Sequence, residues 1–278
     1  DPVGLLKVGG ELVSEMSRPR GAVAILPAGV GPLRVLLDRV TVDVTVRFEA
    51  SNGERVVASA AIDTLLQRNR FTIYTPRYGD VADTPADGAV WVLRGRPLTV
   101  VERRDGAART AIPRDGVLMA RGAPTGAVHE PVLGRVVQVV PEYRTRLGSD
   151  PARWHAARDV IGGAGLLVRN GRALDDWTEE DLRTGFGTER HPRTMIGLDR
   201  AGDVWLVTVD GRQPGHSVGM TFHELQRLAA RLQLRDALNL DGGGSTTMVV
   251  RGTIVNRPSD LQGPRKVSDA LLVFVRRR

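Results

Sequence analysis

From Val40 to Phe48 every second residue is apolar: Val40, Val42, Val44, Val46 and Phe48 alternate with Thr41, Asp43, Thr45 and Arg47. A period of two belongs to a half-buried strand and to no helix. Asn52-Gly53 follows it, a turn signal of the hairpin type. Short apolar runs recur at 71–74, 89–93, 98–102, 117–120 and 135–140, separated by Asp-Gly and Gly-Pro punctuation. Such spacing predicts a twisted mixed sheet or barrel in the first 150 residues. Residues 61–67 read as one short helix.

The pattern changes after residue 150. A helical turn is expected over 151–159. Gly162-Gly163-Ala164-Gly165 makes a turn into a strand at 166–169, and Thr178 opens a short helix with Asp181 where a capping box has Glu. Strands are predicted at 194–198 and 203–209, paired as a hairpin. In 221–234, Phe222, Leu225, Leu228, Ala229 and Leu232 make a helical stripe. Strands at 237–240, 246–250, 253–255 and 270–275 complete the reading. No linker and no internal repeat divides the chain. The fold class expected is α/β (α+β): a single mixed, strongly twisted β-sheet unit with a few helices. Its β-rich half covers about 1–150 and its motif-bearing half about 151–278.

With 41% apolar and 26% charged residues, the chain has the composition of a soluble globular protein. No apolar run approaches the roughly 20 residues of a membrane helix, and the first residues do not read as a secretory leader. The absence of cysteine excludes disulfides, thiol catalysis and cysteine zinc sites. The net charge of +7 is carried almost wholly by arginine, Lys7 and Lys266 being the only lysines. The arginines are scattered and only Arg276-Arg277-Arg278 cluster, as a solvated tail. No basic run is interleaved with aromatics, so nucleic acid is not an expected partner. An anionic substrate or envelope suits the charge better.

Three successive glycines, Gly242, Gly243 and Gly244, are costly to order. They permit unusual backbone angles, close approach of a ligand, and several amides converging on one anion. Asp241 precedes them and Ser245, Thr246 and Thr247 follow. Neither a P-loop nor a dinucleotide fingerprint is present. Arg193, Asp210, Arg212, Asn239, Asp241, Ser245, Asn256 and Arg265 all fall at strand ends or in the loops after them, where pockets form. Arginine offers a planar fork for phosphate, and a carboxylate beside it can handle protons or a developing sugar cation.

Five segments carry a resemblance: His191-Pro192-Arg193-Thr194-Met195-Ile196-Gly197; Val209-Asp210-Gly211-Arg212; Gly219-Met220-Thr221 with Glu224-Leu225; Ala237-Leu238-Asn239-Leu240-Asp241-Gly242-Gly243-Gly244-Ser245-Thr246-Thr247-Met248; and Val255-Asn256-Arg257-Pro258-Ser259-Asp260. In this order they resemble the phosphodiester glycosidase family. Weaker likeness extends upstream through Tyr74-Thr75-Pro76-Arg77-Tyr78-Gly79, 113–118 and 157–168. The resemblance implies hydrolysis of the glycosidic bond of a sugar-1-phosphate diester, on a glycan outside the cytoplasm or in the cell envelope. It implies Asp241 as general acid/base or stabiliser of an oxocarbenium-like centre, with Asp210 as partner carboxylate. Arg193, Thr194, Arg212 and the amides of Gly242, Gly243 and Gly244 would hold substrate or phosphate, helped by Ser245 and Thr246. Asn239 would orient Asp241 or a sugar hydroxyl.

Other residues carry two readings. Glu224 belongs to the family motif, yet Thr221 to Glu224 also spells a capping box. His216 either faces substrate or is solvated. Asn256 stands in the last motif. Arg265 and Asp269 either contact phosphate or form an ion pair that holds their loop. No cofactor is required; Asp210 and Asp241 are the carboxylates a divalent cation would use, but no ligand spacing predicts one. Family members also carry an Asn-Gly-Gly-Phe-Phe-like segment ahead of the stretch that matches Asp1-Pro2-Val3-Gly4-Leu5. The resemblance therefore implies that a segment or chain outside this one completes the pocket. Two other functions fit the same motifs: a non-catalytic module for phosphorylated glycans, and an α-glycosidase on non-phosphorylated polysaccharide.

Overall fold

The computed structural model describes residues 4–27, 33–66, 70–84, 86–106, 108–122 and 129–274. Strands dominate, and the helices are short. The chain forms two compact units, Leu6–Ser17 with Thr41–Arg144, and Asp1–Leu5 with Arg18–Val40 and Thr145–Arg278. The last crossing falls close to the compositional change near 150, but 18–40 of the β-rich half belongs to the second unit.

In the unit built mainly from 41–144, alternation becomes burial as expected. Val35–Glu49 buries Val44, Val46 and Phe48 and pairs antiparallel with Arg55–Ile62 after the Asn52-Gly53 turn. Ala60–Ile62 then runs parallel to Phe71–Ile73. Gly116–Arg121 pairs antiparallel with both Phe71–Tyr74 and Ala89–Arg94, and the latter pairs with Thr99–Asp105. Phe48, Phe71, Ile73, Trp91, Leu93, Met119 and Val137 make the core. The sheet is thus mixed, as predicted. No helix forms at 61–66: Ala61 and Ile62 close a strand, and Asp63 takes φ +46 while accepting from the Thr75 amide at 2.7 Å. Residue 67 lies outside the described residues.

The other unit holds a five-stranded antiparallel sheet in the order Arg172–Ala173, Leu166–Arg169, Leu234–Asn239, Arg193–Asp199, Val204–Val209. The three inner strands are covered on both faces, whereas Trp205 and Leu206 on the edge strand stay exposed. Met195 and Ala237 face the helix Phe222–Arg231 with Leu225 and Ala229, while Ile196, Leu198 and Leu238 pack on Val23, Val35 and Leu37. One α/β sheet unit was expected; among the described residues the strands divide among several sheets, and with so few helices the fold is sheet-dominated rather than an even α/β mixture.

The helix carries the expected capping box, Thr221 and Glu224 each accepting from the other's amide. It stops at Arg231, short of the predicted 234, since Gln233 turns at φ +56 into the next strand. The predicted turn at 151–159 is a helix over Pro151–Ala156 and then a strand, Asp159–Gly162. Asp181 is no capping-box partner: it is the C-cap of the 3-10 turn Thr178–Glu180 at φ +47, and Asp176 accepts from the Thr178 amide instead. Residues 270–274 form no strand; Leu272, Val273 and Phe274 lie exposed. Residue 275 and the Arg276-Arg277-Arg278 tail fall outside the described residues. Among the described residues no helix is long and apolar enough to cross a membrane.

Candidate active site

Antiparallel pairing brings three strand ends to one rim of the five-stranded sheet. Arg193 starts one strand opposite Val209, which ends the next, and Met195 lies opposite Asn239, which ends the third. The loops that follow Val209 and Asn239, and the one that leads into Arg193, surround a pocket of about 210 Å³. It is lined by Arg183, Phe186, His191, Pro192, Arg193, Arg212, Asp241, Gly242, Gly243 and Arg265. Six of these ten, Arg193, Arg212, Asp241, Gly242, Gly243 and Arg265, were singled out by sequence reasoning.

Arg193 is 2% exposed. Its Nε donates to Met220 O at 2.8 Å, and Nη2 donates to Phe186 O at 2.6 Å and Glu189 O at 2.9 Å. The guanidinium also packs against the edge-to-face pair Phe186 and Phe222, 5.2 and 4.8 Å from their ring centroids. Burial, then the charge of Arg212, pulls its pKa down to about 10, which leaves it charged at neutral pH. Much of its hydrogen-bonding capacity thus holds the loop 186–192 against 220, and a smaller part reaches the pocket.

Arg212 is exposed and held in the left-handed region at φ +57. Its Nη2 donates to His191 Nδ1 at 3.2 Å. A guanidinium can only donate, so Nδ1 is the acceptor and Nε2 carries the proton that it gives to Glu189 Oε2 at 3.1 Å. His191 is therefore neutral in this arrangement, and burial with the charges of Arg193 and Arg212 lowers its pKa, against the opposing pull of Glu189. Gly243, at φ +60, makes room for Arg212: a Cβ there would sit 3.1 Å from a guanidinium nitrogen. Of the four pocket arginines, Arg183 pairs with Glu189 and Arg265 with Asp260. Arg193 and Arg212 have no carboxylate within ion-pair distance among the described residues, and Asp241 is the one carboxylate on the pocket wall.

Because the folded state favours neutral His191, a stability term follows. Its contribution is intact above the ordinary value of 6.5, and is lost as pH falls from there toward the lowered folded pKa, since only the unfolded chain then binds the proton. Denaturant midpoints at pH 7.5 and 5.5 should show a drop in the wild type that is smaller in His191→Gln. Equal drops in both proteins would remove this assignment.

The glycine amides do not converge on a common point. The Gly242 amide donates to Asp241 Oδ1 at 2.8 Å and the Gly243 amide to Pro192 O at 2.9 Å. Gly243–Ser245 is a 3-10 turn, closed by Thr246 N to Gly243 O. The glycines serve close packing instead. A Cβ on Gly242 would meet Pro192 O at 2.7 Å, and one on Gly244 would meet the Asp260–Arg265 ion pair at 2.3 Å.

Several predicted residues sit beside the pocket and brace it. Asp210 Oδ1 accepts from Asn256 Nδ2 at 3.1 Å and the Arg257 amide at 2.9 Å, while Oδ2 meets His216 Nε2 at 2.9 Å. Burial raises its pKa, but these bonds together outweigh that and leave it below the usual carboxylate value. Asn256 also donates to Thr246 O and accepts from the Met248 amide. Asn239 is fully buried and donates to Ala164 O and Leu240 O, both at 2.8 Å. Thr194 and Thr246 share a hydroxyl bond at 3.2 Å, and Ser245 gives its amide to Gly242 O. Glu224 caps its helix and pairs with Arg190, whose hydrogen bond is the first cause of a pKa near 2. Asp269 accepts from Ser268 and does not line the pocket.

Sequence reasoning missed Arg183, Phe186, His191 and Pro192. The last two lie inside the quoted motif, where His191 has no metal-ligand spacing with His223 and so gives no signal of its own. Arg183 and Phe186 come from an aperiodic turn that gives no signal. Among the described residues no group of three or more His, Asp or Glu is placed to hold a metal ion.

The phosphodiester glycosidase family model matches residues 87–274. N-acetylglucosamine-1-phosphodiester alpha-N-acetylglucosaminidase of Bos taurus is 33% identical over 129 residues, 41% of this chain and 24% of that protein. The chain thus spans about a quarter of the length of this curated relative. Two solved structures share the fold. One, from Burkholderia pseudomallei K96243, has TM-score 0.71 at 21% identity over 95% of this chain and 60% of its own. The other, from Synechocystis, has TM-score 0.69 at 24% identity over 92% of this chain and 46% of its own.

Proposed function

The chain belongs to the phosphodiester glycosidase family, and we propose from that premise that it hydrolyses the C1–O bond of a sugar-1-phosphate diester. The observation that carries the reading is a single carboxylate, Asp241, on a pocket wall shared with two arginines that have no carboxylate partner. Arg212, exposed and tethered through His191, takes the phosphate. Arg193 adds fixed charge from below, in a setting where burial strengthens it. A phosphomonoester dianion leaves readily without a proton, so the enzyme's work is to stabilise positive charge at C1 and to direct water there. Asp241 is placed for both tasks.

Asp210 takes a different part from the catalytic one first expected of it. With both oxygens engaged by His216, Asn256 and Arg257, it holds together the loops that carry Arg212 and the 246–248 segment. The pocket is smaller than the roughly 300–1,000 Å³ usual for small-ligand sites, which suits the terminal sugar phosphate of a glycan rather than an internal stretch. The reaction belongs outside the cytoplasm or in the envelope, where such glycans are displayed.

The test is a comparison of matched substrates, an α-glycosyl phosphodiester and the same sugar as a plain α-glycoside. Release of free sugar from the diester alone is expected. Faster turnover of the plain glycoside would overturn the assignment in favour of an ordinary α-glycosidase. Binding of the diester without turnover would make the chain a recognition module.

A further inference from the structure

Beyond the 243–245 turn the chain runs out as a two-stranded ribbon. Val249–Val250 pairs antiparallel with Thr253–Ile254, Val249 opposite Ile254 and Val250 opposite Thr253. The Val255 amide extends the ladder to Met248 O at 2.9 Å. Alternation puts Val249 and Ile254 on one face and Val250 and Val255 on the other. A ribbon laid over a core buries one face and shows the other to water. Here both faces are open, Val249, Val250, Ile254 and Val255 being 57, 49, 42 and 55% exposed. The base of the ribbon is fixed all the same: Asn256 accepts from the Met248 amide at 2.7 Å and donates to Asp210 Oδ1 at 3.1 Å. Aliphatic side chains held out on a braced support mark an interaction surface.

The charge around it has one sign. Arg251 and Gly252 make the turn at the tip, both in the left-handed region at φ +50 and +81. Such a turn favours Asn-Gly, so the arginine there sits against backbone preference. Arg257 and Lys266 follow, interspersed with the exposed Leu261 and Val267. Among the described residues Arg251, Arg257 and Lys266 have no carboxylate within ion-pair distance, and the one acid between Met248 and Val267, Asp260, is held by Arg265.

We propose that this ribbon docks the protein on an anionic lipid bilayer, its aliphatic side chains entering the headgroup layer while Arg251, Arg257 and Lys266 meet lipid phosphates. Charge complementarity sets the sign of the partner, and the aliphatic side chains set its kind. An anionic polysaccharide would leave Val249 and Ile254 in water. Protein interfaces are anchored mainly by Trp, Tyr and Arg, with Val and Leu under-represented, and a protein would have to wrap the ribbon to cover both faces. A bilayer surface takes up both faces at once, and each cation brought to it adds about fivefold in affinity. The docking stands whether or not the pocket hydrolyses a glycosyl phosphodiester.

The test is flotation of the full chain with vesicles of phosphatidylglycerol and phosphatidylcholine in equal parts, and with vesicles of phosphatidylcholine alone. Affinity for the mixed vesicles should exceed that for phosphatidylcholine at least about tenfold, and should fall at about 0.5 M salt. Val249→Thr with Val250→Thr and Ile254→Thr keeps the β-branched side chains that strands favour. It should weaken binding at least about tenfold at an unchanged thermal midpoint. Val57→Thr, an exposed valine of the other unit, should change nothing. If the triple variant lowers the thermal midpoint, Arg251→Gln with Lys266→Gln serves in its place with the same expectation. The proposal is overturned if the mixed vesicles do not bind, if they bind no better than phosphatidylcholine, or if the ribbon variant floats like the wild type, which would leave only net charge at work. It is overturned equally if the wild type elutes as a dimer that the ribbon variant dissolves, since a second copy would then cover the ribbon.

Discussion

Asp241→Asn is expected to lower kcat for sugar release from a glycosyl phosphodiester by about 10²–10⁴-fold, the range for loss of a positioned acid–base group. Thermal stability should stay within about 0.5 kcal/mol, as for other exposed substitutions. The side chain is exposed and its one recorded bond, from the Gly242 amide, can be accepted equally by the amide oxygen of Asn. Shape and local structure are therefore kept and only the negative charge is removed. The leaving group sharpens the meaning of the result. A residue that acted only as an acid would matter little when a phosphomonoester dianion departs without a proton. A large loss on the diester thus reports stabilisation of C1 or activation of water. KM should change little, because Arg212 and Arg193 hold the phosphate. An Asn variant with near wild-type kcat would remove Asp241 from the chemistry.

What could be read from the sequence divides along the range of the forces involved. Val40 to Phe48 alternates because one face meets the core and the other does not, and the structure buries those residues. Thr221 to Glu224 is equally local, and its capping box is present. Residues 61–66 misled because Ala61, Leu65 and Leu66 imitate helical spacing, while the deciding bonds come from Thr75, twelve residues on. Residues 270–274 have strand composition but no strand beside them among the described residues. At the site, hairpin order brings Arg193 and Val209 to one rim, and Asn239 joins them because its strand, after the helix, returns to pair on the other side of the Arg193 strand. The glycine run was misread for a long-range reason: the Gly243 amide is taken by Pro192 O, a partner some fifty positions away that no local pattern reveals. His191 escaped because its importance lies in the acceptor it offers to Arg212, not in any spacing of its own.

Glu180→Ala should cost about 3–5 kcal/mol, the range for breaking a buried ion pair from one side, and this is the largest stability effect expected of any single side chain here. Glu180 is fully buried. Oε1 accepts from Arg39 Nε at 2.9 Å and the Leu166 amide at 3.0 Å; Oε2 accepts from the Gly165 amide at 2.8 Å and the Gly21 amide at 3.0 Å. Both oxygens are acceptors to two donors each, so Gln is no isostere: its NH2 must face one donor pair. Glu180→Gln should therefore cost at least half as much as Ala, measured from guanidinium midpoints at pH 7. A Gln variant as stable as the wild type would show that the side chain only fills space. Removing both charges in Glu180→Leu with Arg39→Met should recover part of the loss but not all, because the amides of Gly21, Gly165 and Leu166 stay without acceptors. The consequence reaches the pocket through one further bond. Gly165 O accepts the Asn239 amide at 3.0 Å, at the end of the strand that leads into Asp241. A carboxylate invisible to sequence reasoning thus sets the turn against which the site's most legible segment is registered.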